Sequence, residues 1–351
     1  MIDTALLRNV MDESGAAGYS DLHLVPGGVL RSIGKHTELI PDLAFPVGDL
    51  VNSLDIPDLE ARLQARASLD IPGSRYRGRI AARIGADGPS ATIRLISRTI
   101  PTPDQLGLSP MMRELVRRQR GLVVFSGETN SGKSTTTAAC LNELRDLLIY
   151  TVEDPIEYRY ESTDRLVIQR EVGTHVASFA AGIEDAKRSN PRVFVLGEIL
   201  DVETARAALE MALSGHLVIT TTHAGNAAET ISGFVARFPR AEQPLIRVQL
   251  TQALQAIVTQ QLLPGTDGRR VLAQEIALNS PEFSLLIAGD GESSDVHLVT
   301  QHLLGNGAHE GSVGMETSLA NLVRDGRITH DQARGALKDP SHFDDLYAYA
   351  A

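Results

Sequence analysis

Leu122-Val-Val-Phe-Ser-Gly127-Glu-Thr-Asn-Ser-Gly132-Lys133-Ser134 is the stretch on which the reading of this chain turns. The apolar run Leu122–Phe125 has the length and texture of a strand buried on both faces. The eight residues that follow Ser126 match G-x-x-x-x-G-K-[ST] at every fixed position, and a helical pattern, Lys133–Arg145, comes directly after. Strand, glycine-rich turn and helix N-terminus together suit phosphate: glycines let backbone N–H groups curl around phosphate oxygens, and the helix end adds positive potential. The expected contact set is Gly127, Thr129, Asn130, Ser131, Gly132, Lys133, Ser134 and Thr135. Lys133 is expected to reach the β- and γ-phosphates, with the Ser134 hydroxyl on Mg²⁺. Lysine is scarce in this chain, only Lys35, Lys133, Lys187 and Lys338, which makes its place in the motif more informative.

Downstream of the loop, apolar strands alternate with helices, the pattern of a mostly parallel sheet. Strands are expected at Leu147–Val152, Arg192–Leu196 and Leu217–Thr221, and a helix at Val202–Leu213. Ile246, Leu250, Leu254 and Ile257 recur at helical spacing, and Arg270–Leu278 reads as a strand. Ser280-Pro281-Glu282 and the capping box Thr329-His-Asp-Gln332 announce two further helices. Parallel sheets hold ligands at the carboxyl ends of their strands. Gly197-Glu198, at the exit of the 192–196 strand, therefore offers a carboxylate that orients a water or takes its proton. Glu153, Asp154 and Glu157 leave the 147–152 strand and offer water-mediated Mg²⁺ support, although in isolation such a run is a solvated acidic turn. His216 and His223 flank a threonine-lined strand that offers hydrogen bonds to a γ-phosphate, although in isolation such a histidine is usually structural. Ligation of a metal by His297, His302 and His309 has no cysteine or carboxylate pattern behind it.

Upstream, residues 1–98 read as a smaller α+β unit. A helix over 3–13 is followed by a strand at Asp21–Val25, a turn at Pro26-Gly27-Gly28, a helix over 58–66, and strands at Arg75–Ile84 and Ala91–Ile96. Thr99-Ile-Pro-Thr-Pro-Asp104 favours extended backbone, so 99–109 is read as a linker and 110–351 as the second domain. The length of 351 residues fits two domains at about 150 residues each.

Composition narrows the function classes. A net charge of −11 argues against a general nucleic-acid binder, whose affinity rests on neutralising phosphates. No apolar run approaches the roughly 18 residues of a membrane span. The first eight residues lack the basic-then-apolar layout of a signal peptide, and Cys140, the one cysteine, has no partner for an internal disulfide. The expected compartment is the cytosol.

Taken in order, the loop at 127–134, Glu153-Asp-Pro-Ile-Glu157, Gly197-Glu198 with Asp201-Val-Glu203-Thr204, and Gly215-His216 through Thr222-His223 resemble the secretion-ATPase superfamily. The branch is the PilT-like one, with pilus-retraction motors and the DotB/TraJ-type ATPases of type IVB secretion and conjugation. Ser20-Asp-Leu-His-Leu24, Asp70-Ile-Pro-Gly-Ser-Arg75-Tyr-Arg77, Gln169-Arg-Glu-Val172 and Gly314-Met315-Glu-Thr-Ser-Leu319 also resemble signatures of that branch. The resemblance implies an α/β architecture: a RecA-like P-loop ATPase domain preceded by a smaller PAS-like α+β domain. It further implies a homohexameric ring that uses ATP with Mg²⁺, the nucleotide lying between the two domains. Glu198 would activate water, Glu153 and Glu157 support the metal, and Arg75, Arg77 and Arg94 approach the phosphates. The implied partner is an inner-membrane platform protein of a secretion or pilus machine, the ring docking there from the cytoplasm. Three positions depart from the branch: Leu200 where an arginine is expected, Asn190-Pro191-Arg192 in place of Asp-Pro-Asp, and Glu282-Phe-Ser-Leu-Leu-Ile287 in place of Ala-Ile-Arg-Asn-Leu-Ile. The last tilts the reading toward the DotB/TraJ side. The rivals are an ATP-binding ring scaffold without hydrolysis and a RecA-like nucleic-acid translocase.

Overall fold

The computed structural model describes residues 3–33, 36–41, 43, 47–53, 64–162, 164–289, 298–299, 301–303, 311–340, 343–344 and 347. The chain divides into two compact units, Met1–Ile100 with Glu157–Arg159, and Pro101–Ile156 with Tyr160–Ala351.

The first unit is an antiparallel sheet packed on helices. Helix α1, Thr4–Ala16, starts where the Asp3 carboxylate accepts the N–H groups of Ala5 and Leu6. Strands β1 (Asp21–Val25), β2 (Gly28–Ile33) and β3 (His36–Ile40) precede α2 (Val47–Ser53), then β4 (Gln64–Leu69), β5 (Tyr76–Gly85) and β6 (Gly88–Ser97) follow. The sheet order is β3-β2-β1-β6-β5-β4. Alternate residues of its central strands, Leu22 and Leu24, Ile80 and Ala82, Ala91 and Ile93, join Leu7, Met11 and Leu50 in one core. The expected helix over 58–66 is corrected in part: 64–69 is strand β4, paired with β5, and most of the remainder lies outside the described residues.

The second unit is a seven-stranded sheet in the order β13-β12-β7-β11-β10-β8-β9. Its strands are β7 (Gly121–Ser126), β8 (Leu148–Glu153), β9 (Leu166–Glu171), β10 (Val193–Leu196), β11 (Leu217–Thr221), β12 (Leu254–Pro264) and β13 (Arg270–Leu278). Every neighbouring pair is parallel except β12–β13. Successive residues of a strand face opposite layers. Leu122 and Val124 pack with helices α5 (Phe179–Ser189), α6 (Val202–Leu213), α7 (Ala227–Val235), α8 (Gln243–Ala253) and α9 (Pro281–Ala288). Val123 and Phe125 pack with α3 (Pro110–Arg117) and α4 (Lys133–Leu141). Beyond β13, α10 (Met315–Arg324) and α11 (His330–Gly335) bury Met315, Leu319 and Ala333 against Val271 and Ala273.

Two expectations are corrected here. The helix after the phosphate loop stops at Leu141 rather than Arg145, and Asp146 takes a left-handed φ of 57°. The Ile246–Ile257 spacing is not one helix: α8 ends at Ala253, Leu254 turns extended, and Ile257-Val258-Thr259 pairs with β7. The β-branched run wins because a central parallel strand buries both of its faces, which a helix face does not offer.

Candidate functional site

The phosphate loop, Glu153, Glu198 and His223 stand at one edge of the second unit's sheet, where β7, β8, β10 and β11 end, whereas His216 precedes β11 at the opposite edge, its Nε2 3.2 Å from Asn190 Oδ1. β7 is buried along its whole length, and at Gly127 the backbone takes a φ of +133°. A Cβ there would lie 2.4 Å from the Gln260 carbonyl oxygen on β12 and 2.7 Å from Ser131 Oγ. Glycine is required at this point by both the dihedral and the close approach. Asn130 (φ 68°) and Gly132 (φ 91°) complete the curl, and Gly132 is the N-cap residue of α4. Lys133 is buried, and its Nζ donates to the carbonyls of Gly127 at 2.6 Å and Glu128 at 2.8 Å. The ammonium thus lies over the loop, held by acceptors that phosphate oxygens outcompete, because a charged acceptor makes the stronger bond. From β12, Gln260 Nε2 donates to Thr136 Oγ1 at 2.9 Å and so fixes the first turn of α4. Ser134 and Thr129 are exposed, Thr135 is partly exposed and Ser131 is buried. The donor set, one ammonium and a helix N-terminus on a left-handed glycine curl, fits a nucleotide polyphosphate.

Glu198 follows β10. Gly197 N–H donates to the Val152 carbonyl at 2.8 Å, and Thr221 Oγ1 donates to the Gly197 carbonyl at 2.7 Å. These bonds pin the residue before Glu198 to both neighbouring strands. Glu198 Oε2 lies 3.3 Å from His223 Nε2, so the structure brings together two side chains the sequence proposed separately. Just beyond, Asp201 caps α6 in a reciprocal box with Thr204, whose backbone and hydroxyl hydrogen bonds hold the Asp201 carboxyl below the usual carboxylate range. Leu200 is exposed, and the carbonyl before it, Ile199, accepts from Arg237 Nη2 at 3.1 Å. Asn190 ends α5 in a left-handed conformation, φ 45°, a role asparagine fills more readily than most residues.

Glu153 ends β8, beside Gly197, which follows the adjacent strand β10, and accepts from Thr151 Oγ1 at 2.6 Å and Gln169 Nε2 at 3.3 Å. The Asp154–Pro155 peptide bond is cis. Glu157 groups with the first unit, and its carbonyl accepts from Arg77. Among the described residues no three His, Cys, Asp or Glu side chains gather as a metal site. Mg²⁺ commonly takes only one or two carboxylates and completes its shell with phosphates and water, which Ser134 and Glu153 suit. His302 is buried, with Nδ1 3.6 Å from Glu282, while His297 and His309 lie outside the described residues. Arg75 presents an exposed guanidinium near Asp12, and Arg94 pairs with Asp21 at 3.0 Å.

Sequence reasoning missed the polar residues inside the strands. Ser126 Oγ donates to the Ala224 carbonyl at 2.6 Å and accepts from Thr230 at 3.0 Å and Thr222 at 3.2 Å. Glu275, on β13, accepts from the Ala227 N–H at 2.7 Å and the Thr259 hydroxyl at 3.2 Å. The available signal was a serine, a Thr-Gln pair and a Gln-Glu pair within otherwise apolar strands, since most buried polar groups are hydrogen-bonded.

A phosphate curl at the point where strand order reverses, β7 between β11 and β12, is the architecture of the RecA-like P-loop ATPases. Comparison with known proteins narrows the class. Residues 41–284 match the family described as Type II/IV secretion system protein, and the chain belongs to that family. It is 35% identical to the type IV pilus retraction ATPase PilT of Pseudomonas aeruginosa, over 94% of this chain and 97% of that one. It is 36% identical to the twitching motility protein of Neisseria gonorrhoeae, over 88% of this chain and 82% of that one. Among solved structures, the pilus retraction motor PilT with bound ADP matches 96% of this chain and 98% of that one, with a TM-score of 0.83 and 32% identity. The Legionella pneumophila ATPase DotB matches 99% of this chain and 96% of that one, with a TM-score of 0.80 and 27% identity. The chain is a nucleotide-binding, ATP-hydrolysing enzyme of the secretion and pilus class. Among the described residues no helix is long and apolar enough to cross a membrane.

Proposed function

We propose that the protein is the homohexameric motor of a type IV pilus or type IV secretion machine, using ATP hydrolysis to rotate its two domains against each other. The observation that carries the catalytic part is the Glu198–His223 pair, 3.3 Å apart, at the edge of the sheet that also ends in the phosphate loop. Lys133 and the α4 N-terminus hold the phosphates, and Ser134 with Glu153 and Glu157 supports Mg²⁺. Bound Mg²⁺ neutralises charge that builds on the phosphate oxygens. Glu198 orients a water and takes its proton, while His223 reports the γ-phosphate to the 222–226 segment. Arg75, Arg77 and Arg94 are assigned to the phosphates as charge-stabilising groups; the exposed Arg75 guanidinium supports this most directly. The partner is an inner-membrane platform protein to which the ring docks from the cytoplasm, and no general nucleic-acid binding is expected. The altered 282–287 element favours secretion, whereas the identities, 32% to PilT against 27% to DotB, favour retraction, so the proposal stands at the level of the machine class.

The test is steady-state phosphate release from the assembled protein with Mg-ATP, beside its Glu198→Gln variant. Turnover that falls about 10²–10⁴-fold in the variant, with nucleotide binding retained, is the expected result for loss of a general base. Equal turnover in both proteins would remove Glu198 from the mechanism. Binding without turnover in the parent would leave a nucleotide-set scaffold.

A further inference from the structure

Glu275 is a carboxylate buried in the core of the second unit, outside the set of residues assigned to the nucleotide. Three adjacent strands carry a line of buried polar groups: Ser126 on β7 is paired with Thr259 on β12, which is paired with Glu275 on β13. Each end of that line grips the segment that carries His223. Ser126 holds the Ala224 carbonyl and the hydroxyls of Thr222 and Thr230. Glu275 Oε1 holds the Ala227 N–H, the first of α7. Ser126 is also the residue directly before Gly127, so the same polar line joins the phosphate loop to the 222–230 segment.

We propose that Glu275 is a positioning residue for hydrolysis: its buried carboxyl latches the start of α7, and so sets His223 against Glu198. Leucine would fill the space at lower desolvation cost, so the structure has kept a polar group where only its hydrogen bonds repay burial. Oε1 serves both partners in the neutral acid, because the proton sits on the other oxygen. Burial pushes the carboxyl up, to about 7, with Glu316 on α10 and Glu229 on α7 adding repulsion and the Ala227 and Thr259 hydrogen bonds opposing it. Glu229 is itself held by Lys338 Nζ at 2.5 Å and by the Gly225 N–H at 2.9 Å. Rising pH therefore loads charge into the latch, and any opening of the 222–227 segment that admits water to Glu275 becomes easier. The pH effect acts through hydration of the charge on opening, and not through the two hydrogen bonds, which the ionised carboxylate accepts more strongly.

The kinetic arm of the test rests on the ATPase reading, and the exchange arm does not. Amide hydrogen exchange of peptides covering 222–230, corrected for the intrinsic rate, is measured at pH 6 and pH 8 on the full chain. In the parent, protection is expected to fall about tenfold over that interval. Glu275→Gln keeps the acceptor oxygen without the charge, and its protection is expected to be independent of pH. Glu275→Leu removes the acceptor, so protection is low at both pH values. In phosphate release, Glu275→Leu is expected to lower kcat at least tenfold with KM for ATP within about threefold, and the Gln variant to lose the alkaline fall of kcat shown by the parent. The same pH dependence of exchange in parent and Gln variant overturns the proposal. So does a Leu variant that melts earlier but keeps the parental kcat, because that is a purely structural residue. If the Leu variant does not fold, the exchange comparison of parent and Gln variant decides alone.

Discussion

Replacing Gly127 by alanine tests the geometry of the phosphate loop at its tightest point. Two costs arise together. A φ of +133° is a region that side-chain-bearing residues rarely adopt, worth on the order of 1–3 kcal/mol. The new Cβ would also lie 2.4 Å from the Gln260 carbonyl oxygen, against an ordinary contact beginning near 3.4 Å, so about 1 Å of room must be found. β12 cannot readily supply it: Gln260 is fully buried, its backbone sits in the ladder with β13, and its side chain holds Thr136 on α4. The loop moves instead, carrying the Gly127 and Glu128 carbonyls that hold Lys133. A weakened hydrogen bond from Lys133 to a charged phosphate is worth about 1.5–3 kcal/mol, or roughly 10–10²-fold in affinity. The assay is ATP affinity by titration calorimetry, with thermal melting alongside. Gly173→Ala is the control, since Gly173 also has a positive φ, +80°, but its Cβ would meet nothing within 4 Å. The control should lose about 1 kcal/mol of stability and no affinity. If Gly127→Ala binds ATP within threefold of the parent and both variants melt alike, the close approach does not shape the loop and the reasoning fails.

Three further outcomes follow from single groups. Burial pushes the Cys140 thiol up to about 12, so a disulfide reagent at pH 8 should label it only as the protein unfolds, and prompt labelling of the native protein would contradict its burial. Glu275 has a folded pKa of about 7 against an ordinary 4.5, so the folded state holds the extra proton and stability falls as pH rises between those values. At about 1.4 kcal/mol per unit the loss is on the order of 3 kcal/mol, and melting of Glu275→Gln against pH should lack that slope. Leu200 is 57% exposed, so Leu200→Arg should change stability by less than about 0.5 kcal/mol. Phosphate release should rise if the arginine that the resemblance expects two residues after Glu198 aids turnover, and unchanged release would mark the departure as neutral.

The second unit was largely readable because its strands are long apolar runs and its helices carry explicit caps. Leu122–Phe125 and Val193–Leu196 announce themselves, and the Ser280 and Thr329 caps mark where helices begin. The elements that escaped are those without such a signal. β9, Leu166–Glu171, is an edge strand whose outer residues Leu166 and Ile168 stay exposed, so it lacks a buried face. In the first unit β3 is exposed along nearly all its length, so no buried face marks it, and the Arg31–Glu38 ion pair that joins it to β2 shows only once the two strands are paired. Leu254 failed differently, because apolar residues four apart satisfy a helix and a doubly buried strand equally until neighbours arbitrate.

The site divides along the same physical line. The loop assigned to phosphate was legible as a local shape, because a glycine curl and a lysine form a code within eight residues. Groups that meet each other across strands were only half legible: Glu198 and His223 were chosen separately, and their 3.3 Å contact depends on β10 and β11 being neighbours. The support beneath them was not read at all, since Ser126, Thr259 and Glu275 are far apart in sequence and only strand order lines them up. Yet each is a polar residue in a strand whose other residues are buried and largely apolar, and a buried polar group that lacks a partner costs roughly 1–3 kcal/mol. Such a residue is retained where its partners repay it. Ser126 and Glu275 meet the backbone and hydroxyls of the segment that brings His223 to Glu198, and Thr259 joins them through Glu275, so the proposal assigns these three residues to the site rather than to packing alone.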